Sequence, residues 1–174
     1  RVALTDAKYD SVEEAIETLK AGFLEANSML SATVAEHPDL EGMGTTFSGV
    51  LVHGDQVITA HIGDSRIYRV RDGEVTQVTT DHTFVQRLVE MGRITPEEAL
   101  VHPRRSVLMR VLGDVMDSPE IDIALHDAQA GDRWLICSDG LSGVVPEEVM
   151  ERILTSSIAT EEAAELLVGE AMER

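Results

Sequence analysis

Between Thr45 and about Thr80 the side-chain pattern has a period of two, and no other stretch limits the possible folds so tightly. Thr46–Val52, Gln56–Ile62, Arg66–Val70 and Glu74–Val78 are short runs rich in Val, Ile, Thr and Tyr. Such residues suit a pleated, half-buried surface. His53-Gly54-Asp55, Gly63-Asp64-Ser65 and Asp72-Gly73 separate them. Asp72-Gly73 is the strongest hairpin signal, because a primed turn needs a positive φ that Asp and Gly tolerate. The spacing predicts an antiparallel meander.

On either side the period returns to that of a helix. Val12, Ile16, Leu19, Phe23, Leu30 and Val34 form the apolar stripe of a helix over roughly 11 to 36. Asp10 or Ser11 can cap it, with Glu13 or Glu14 completing a capping box, and His37-Pro38 ends it. Further helices are expected at Asp81–Met91, stopped by Gly92, and from Thr95, where Thr95-Pro96-Glu97-Glu98 forms a start signal. Strands are expected at Ile121–Leu125 and Asp132–Cys137, then helices at Pro146–Leu154 and Thr160–Met172. Trp134–Cys137 has no alternation, which predicts a central strand. Strands and helices do not alternate, so a parallel doubly wound sheet is excluded in favour of an α+β layered fold with antiparallel sheets. No repeat, low-complexity segment or linker divides the 174 residues, which read as one domain.

Charge narrows the function classes. The formal net charge is −18, from 32 acidic and 14 basic residues. A nucleic-acid binder needs clustered Lys and Arg, so that class is excluded. The acidic excess serves solubility or supplies oxygen ligands for hard cations. Against it, His102, Arg104, Arg105 and Arg110 concentrate positive charge between Val101 and about Gly113, as a solvated ion-paired face or a contact surface. The single cysteine, Cys137, forms no intrachain disulfide, and its apolar flanks predict a buried thiol in a reducing cytoplasm. No run approaches a membrane span and no signal peptide opens the chain, so no membrane contact is expected and the segment reads as cytoplasmic.

The chemistry-bearing candidates are few. There is no Gly-rich phosphate loop, no paired metal cysteines, no HExxH and no GxSxG elbow. What remains is two carboxylates at strand ends, Asp64 in Gly63-Asp64-Ser65 and Asp139 in Ser138-Asp139-Gly140. A carboxylate held near an apolar strand end wants a cation, a set of donors or a proton. If the two turns share one end of the sheets, they make a small oxygen-ligand site suited to magnesium or manganese. The other reading is a pair of Asp turns capping their own backbone amides. Spacing leaves both open.

Five stretches occur in the order of one family: GMGTT at Gly42–Thr46, AHIGDSRIY at Ala60–Tyr68, TTDHTF at Thr79–Phe84, GRITPEEA at Gly92–Ala99 and CSDGL at Cys137–Leu141. The chain resembles the metal-dependent, type-2C protein serine/threonine phosphatases, bacterial branch, most of all the actinobacterial enzymes that oppose receptor-like kinases. The resemblance implies an antiparallel β-sandwich flanked by helices in four αββα layers. It also implies hydrolysis of phosphoserine and phosphothreonine at a binuclear Mn2+ or Mg2+ centre, with a bridging water or hydroxide as nucleophile. By motif, Asp139 would be a core metal ligand, and Asp64 would hold an additional, weaker metal shared with Asp139. Gly42–Thr46 would be a tight structural crossing. Residues from about Asp81 to Arg110 would be a flap beside the active site, its arginines facing phosphoprotein, with His82 and His102 structural. Partners would be phosphorylated proteins, among them serine/threonine kinases and their substrates.

The same resemblance implies a partial catalytic domain over residues 1–174. The family's phosphate-contacting arginine and Asp-Gly pair precede the matched stretch, and its Asp-Asn turn follows it; none is in this sequence. Phosphomonoester hydrolysis needs accelerations up to about 10²¹, nearly 30 kcal/mol at roughly 1.36 kcal/mol per decade. Two carboxylates do not supply that, so the chain alone is expected to be inactive. Two other classes stand beside the phosphatase reading. One is a catalytically dead, phosphatase-like binding or regulatory module; the other is a different metallohydrolase on a similar sandwich.

Overall fold

The computed structural model describes residues 9–113 and 119–174. A long helix, α1 (Val12–Glu36), opens the described chain. Ser11 caps it by accepting the Glu14 amide at 3.1 Å, while the Glu14 carboxylate accepts the Asp10 amide at 2.8 Å. The box is thus shifted by one residue, and Asp10 and Ser11 share the start. One turn of 3-10 helix, Pro38–Leu40, follows.

The strands are β1 (Phe47–His53), β2 (Gln56–Ile62), β3 (Arg66–Arg71), β4 (Glu74–Gln77), β5 (Asp122–Asp127) and β6 (Arg133–Cys137). Between β4 and β5 lie α2 (Phe84–Glu90) and α3 (Pro96–Leu100); after β6 come α4 (Asp139–Ser142), α5 (Glu147–Leu154) and α6 (Thr160–Met172). Among the described residues every strand pair is antiparallel, in two three-stranded sheets ordered β1-β2-β5 and β4-β3-β6.

This corrects the single meander. β1–β2 and β3–β4 are hairpins, the second closed by Asp72 at φ 52° and Gly73 at φ 78°, the left-handed pair a primed turn requires. β2 and β3 do not pair; Gly63-Asp64-Ser65 carries the chain from one sheet to the other. Alternation cannot separate a hairpin from a crossover, because both leave the period at two. A second correction concerns β6. Among the described strands it is the edge of its sheet, and Ile136 is 47% exposed. Asp81 and His82 also lie outside the helix expected there, because Thr83 caps α2 by accepting the Gln86 amide.

Apolar cores lie on the outer face of each sheet. Ile58, Ala60 and Ile62 of β2 pack on Val12, Ala15, Leu19 and Phe23 of α1. Tyr68 and Val70 of β3 pack on Met150, Ile153 and Leu154 of α5 and Ala163 and Leu167 of α6. Each Val, Leu, Ile, Phe or Met among them contributes about 1.5–3 kcal/mol of burial. The alternate residues of β2 face inward, and two of them are polar yet buried, Thr59 and His61. Thr59 meets His126 Nε2 at 3.0 Å, and His61 Nε2 donates to the Thr80 carbonyl at 3.1 Å. The layer between the sheets is therefore a hydrogen-bonded one, and its end next to the Gly63–Ser65 crossover is where the candidate site lies.

Candidate metal centre

The register of β3 with β6 sets the site. Arg66 pairs with Cys137 in antiparallel sense. Asp64 precedes Arg66 by two residues and Asp139 follows Cys137 by two, so both leave the sheet at the same end. Their charges interact: burial raises the Asp64 pKa above its ordinary value, and the neighbouring Asp139 carboxylate raises it further. Asp64 is half-buried and Asp139 exposed. The Asp139 charge that raises the proton affinity of Asp64 equally favours a hard divalent cation beside it, so the donor chemistry fits magnesium or manganese. The number of donors is small. Among the described residues, no group of three or more His, Cys, Asp or Glu side chains is placed to hold a metal ion.

The turn that carries Asp64 is held on every side. Gly63 has φ +111°, and a Cβ there would come within 2.3 Å of Thr46 Cγ2, so only glycine fits. Its carbonyl accepts the His82 amide at 2.7 Å, and its own amide donates to His82 Nδ1 at 3.1 Å. Ser65 is fixed by Thr46, whose hydroxyl lies 3.2 Å from that of Ser65, and by Ser48, which donates to the Ser65 carbonyl at 2.8 Å. Arg66 closes the far side with a bidentate grip on Asp81, Nε to Oδ1 at 2.9 Å and Nη2 to Oδ2 at 2.8 Å. The GDSR and TTDHTF stretches, distant in sequence, thus form one structure. Pattern reading missed this: it treated His82 as scaffold and gave Arg66 and Asp81 no role, since no spacing rule joins an Arg to an Asp fifteen residues on.

Thr45 of GMGTT exchanges backbone hydrogen bonds with Leu112, at 2.9 and 2.8 Å. Cys137 is only partly buried, not fully as its flanks suggest, and burial pushes its thiol up from the ordinary value. The expected flap emerges beside the Asp64 turn. Its two ends are joined by a bridge between Thr83 and Leu108, with Phe84 donating to Val107 at 2.9 Å and Met109 to His82 at 2.8 Å. Thr95 and Glu98 form the expected capping box of α3. Arg87 pairs with Glu90, and Arg110 with Glu120 and Asp122. Among the described residues Arg93, Arg104 and Arg105 form no salt bridge and are exposed, Arg104 lying 5.5 Å from the Phe84 ring centre. His102 Nδ1 accepts the Arg104 amide at 3.1 Å.

Comparison with known proteins agrees with this architecture. A family model described as Protein phosphatase 2C matches residues 3–173. The chain is similar to the serine/threonine protein phosphatase PstP of Mycobacterium tuberculosis, 48% identical over 149 residues, 86% of this chain and 29% of PstP. It is 38% identical over 159 residues to the serine/threonine phosphatase stp of Listeria monocytogenes, covering 91% of this chain and 63% of that protein. A solved PstP catalytic domain in complex with two manganese ions superposes with a TM-score of 0.84 at 42% identity, covering 97% of this chain and 68% of that one. The chain therefore spans less than two thirds of the length of these two curated relatives.

Proposed function

Since the chain belongs to the protein phosphatase 2C family, we propose that it is part of a catalytic domain that removes phosphate from phosphoserine and phosphothreonine in proteins, with manganese or magnesium. The observation that carries this reading is the β3–β6 register, which puts Asp64 and Asp139 at one sheet end with their charges interacting. Asp139 and Asp64 would hold divalent cations. When bound, such ions supply an activated water and neutralise charge on the phosphoryl oxygens. A six-coordinate ion needs more than two carboxylates, so the described pair alone binds manganese weakly. What the rest of the site contributes is position: the crossover holds Asp64, and the first turn after β6 holds Asp139.

The substrate side of the proposal rests on the flap. Three exposed guanidinium groups without acidic partners among the described residues, on a chain of net charge −18, suit phosphoproteins, including kinases and their substrates. A second reading, a binding or regulatory module without turnover, draws on the absence of a third metal-ligating side chain among the described residues.

One assay separates them. The full-length protein with manganese should hydrolyse p-nitrophenyl phosphate, Asp139→Ala should lose nearly all of that activity, and residues 1–174 alone should show none above background. Turnover by residues 1–174 would place the catalytic centre elsewhere. A full-length protein that binds phosphopeptide with no turnover at any manganese concentration would establish the binding module instead.

A further inference from the structure

We infer that His82 is a positioning residue for the Asp64 turn, acting through its unprotonated Nδ1. This rests on the reading of Asp64 as a metal ligand. Two bonds set the tautomer. A backbone amide can only donate, so the Gly63 N–H at 3.1 Å requires Nδ1 to carry no proton. A carboxylate oxygen only accepts, so Asp122 Oδ2 at 3.0 Å requires the proton on Nε2. Arg110 Nη1, 3.4 Å from that same nitrogen, directs its hydrogens to Asp122 Oδ1 at 3.3 Å instead.

The result is a closed ring of bonds around one residue. His82 grips Gly63 by its main chain, which donates to the Gly63 carbonyl, and by its side chain, which accepts from the Gly63 amide. The imidazole is 6% exposed and lies 4.8 Å from the His61 ring, centre to centre. Asp122, which orients Nε2, sits opposite His61 in the β2–β5 ladder. The His82 carbonyl also accepts from Met109 at the base of the flap. One residue thus joins the end of β2, the start of β5 and the flap base to the peptide next to Asp64. Without Nδ1 the buried Gly63 amide has no acceptor, and the positive-φ crossover can relax, carrying the Asp64 carboxylate away from that of Asp139.

Two substitutions separate the nitrogens in the full-length protein. In His82→Asn the amide oxygen takes the place of Nδ1, keeping the Gly63 acceptor and losing the Asp122 contact. In His82→Gln the amide nitrogen takes the place of Nε2, keeping Asp122 and losing Gly63. Amide hydrogen exchange at Gly63 should remain within about threefold of wild type in His82→Asn and accelerate at least tenfold in His82→Gln. The manganese concentration for half-saturation, followed by paramagnetic broadening rather than turnover, should likewise rise about tenfold only in His82→Gln. Gly63 exchange unchanged in His82→Gln, or equally raised in both variants, would overturn the inference and leave His82 as packing. If either variant fails to fold, the wild-type protein decides. A through-bond 15N–15N coupling between Gly63 N and His82 Nδ1 is expected, and its absence overturns the assignment. Normal Gly63 behaviour with no manganese binding in any form would instead refute the metal reading of Asp64.

Discussion

A single missing methyl group decides the geometry of the crossover. Gly63→Ala must fit a Cβ against Thr46 at φ +111°, so Thr46 or the turn must shift. A loss of about 2–4 kcal/mol is expected, read as a lower urea midpoint, because both strain and clash are involved. Asp64 offers a second test at this scale. Burial and the Asp139 charge both raise its pKa, so Asp139→Asn should lower the Asp64 pKa toward the ordinary carboxylate value. Carboxyl 13C titration of the metal-free protein measures this directly; an unchanged pKa would mean that burial alone sets it. The candidate residues Asp64 and Asp139 were legible because each ends an apolar run at a turn. The grip of His82 on Gly63 and of Arg66 on Asp81 was not, because side-chain partners across a crossover obey no fixed spacing.

Local signals served the elements well where caps decide and poorly where neighbours decide. The α3 start follows from its capping residues and the α5 and α6 spans from apolar period, both properties of the segment itself. Strand partners are not such a property, so the pattern found β2, β3 and β6 without showing that β2 and β3 belong to different sheets. The segment between Phe84 and Val107, expected as a flap, is tied at its base but carries little burial beyond it. α3 has no buried residue, and Leu100 and Val101 are 71% and 81% exposed. Amides from 91 to 106 should therefore exchange well before those of β2, where Val57 and Ile58 are each 1% exposed. Equal protection would make this segment rigid scaffold. Thr95→Ala should remove the α3 cap at a cost of about 1 kcal/mol and speed exchange in α3 without moving the global urea midpoint by as much.

The hydrogen-bonded layer between the sheets gives the whole molecule a defined response to acid. Burial lowers the His61 pKa, with His82 adding to it, and burial followed by Arg69 lowers that of His126. The unfolded chain therefore binds more protons below 6.5, the ordinary value, than the folded one does. Their contribution to stability is complete above pH 6.5 and is lost as pH falls through their depressed values. Asp132, held to about 2 by hydrogen bonds from Arg71, adds stability that is full above 3.8 and lost between there and 2. Asp64 works the other way. Its raised pKa adds stability that is complete below 3.8 and lost as pH rises through the folded value. In Asp64→Asn, where the opposing carboxylate is removed, the urea midpoint should thus decline as pH drops from 7 toward 5; a flat or rising profile there would show that the imidazoles titrate normally.

The way the chain shuttles between its sheets also shapes its synthesis. β1 and β2 enter one sheet, β3 and β4 the other, and each waits for a third strand, β5 and β6, made only after α2 and α3. Two-stranded ribbons are marginal in water. β1–β2 already has α1 to pack on, but β3–β4 has no cover until β6, α5 and α6 are made, so the second half cannot stand while the ribosome continues. At roughly 5–20 residues per second, the interval from Gln77 to Cys137 lasts about 3–12 s. Throughout it, the partner edges of β2 and β3 are open to any passing strand. The nascent chain is therefore a natural client for chaperones, and codons that slow translation between β4 and β6 would lower the yield of folded protein while leaving its final stability untouched.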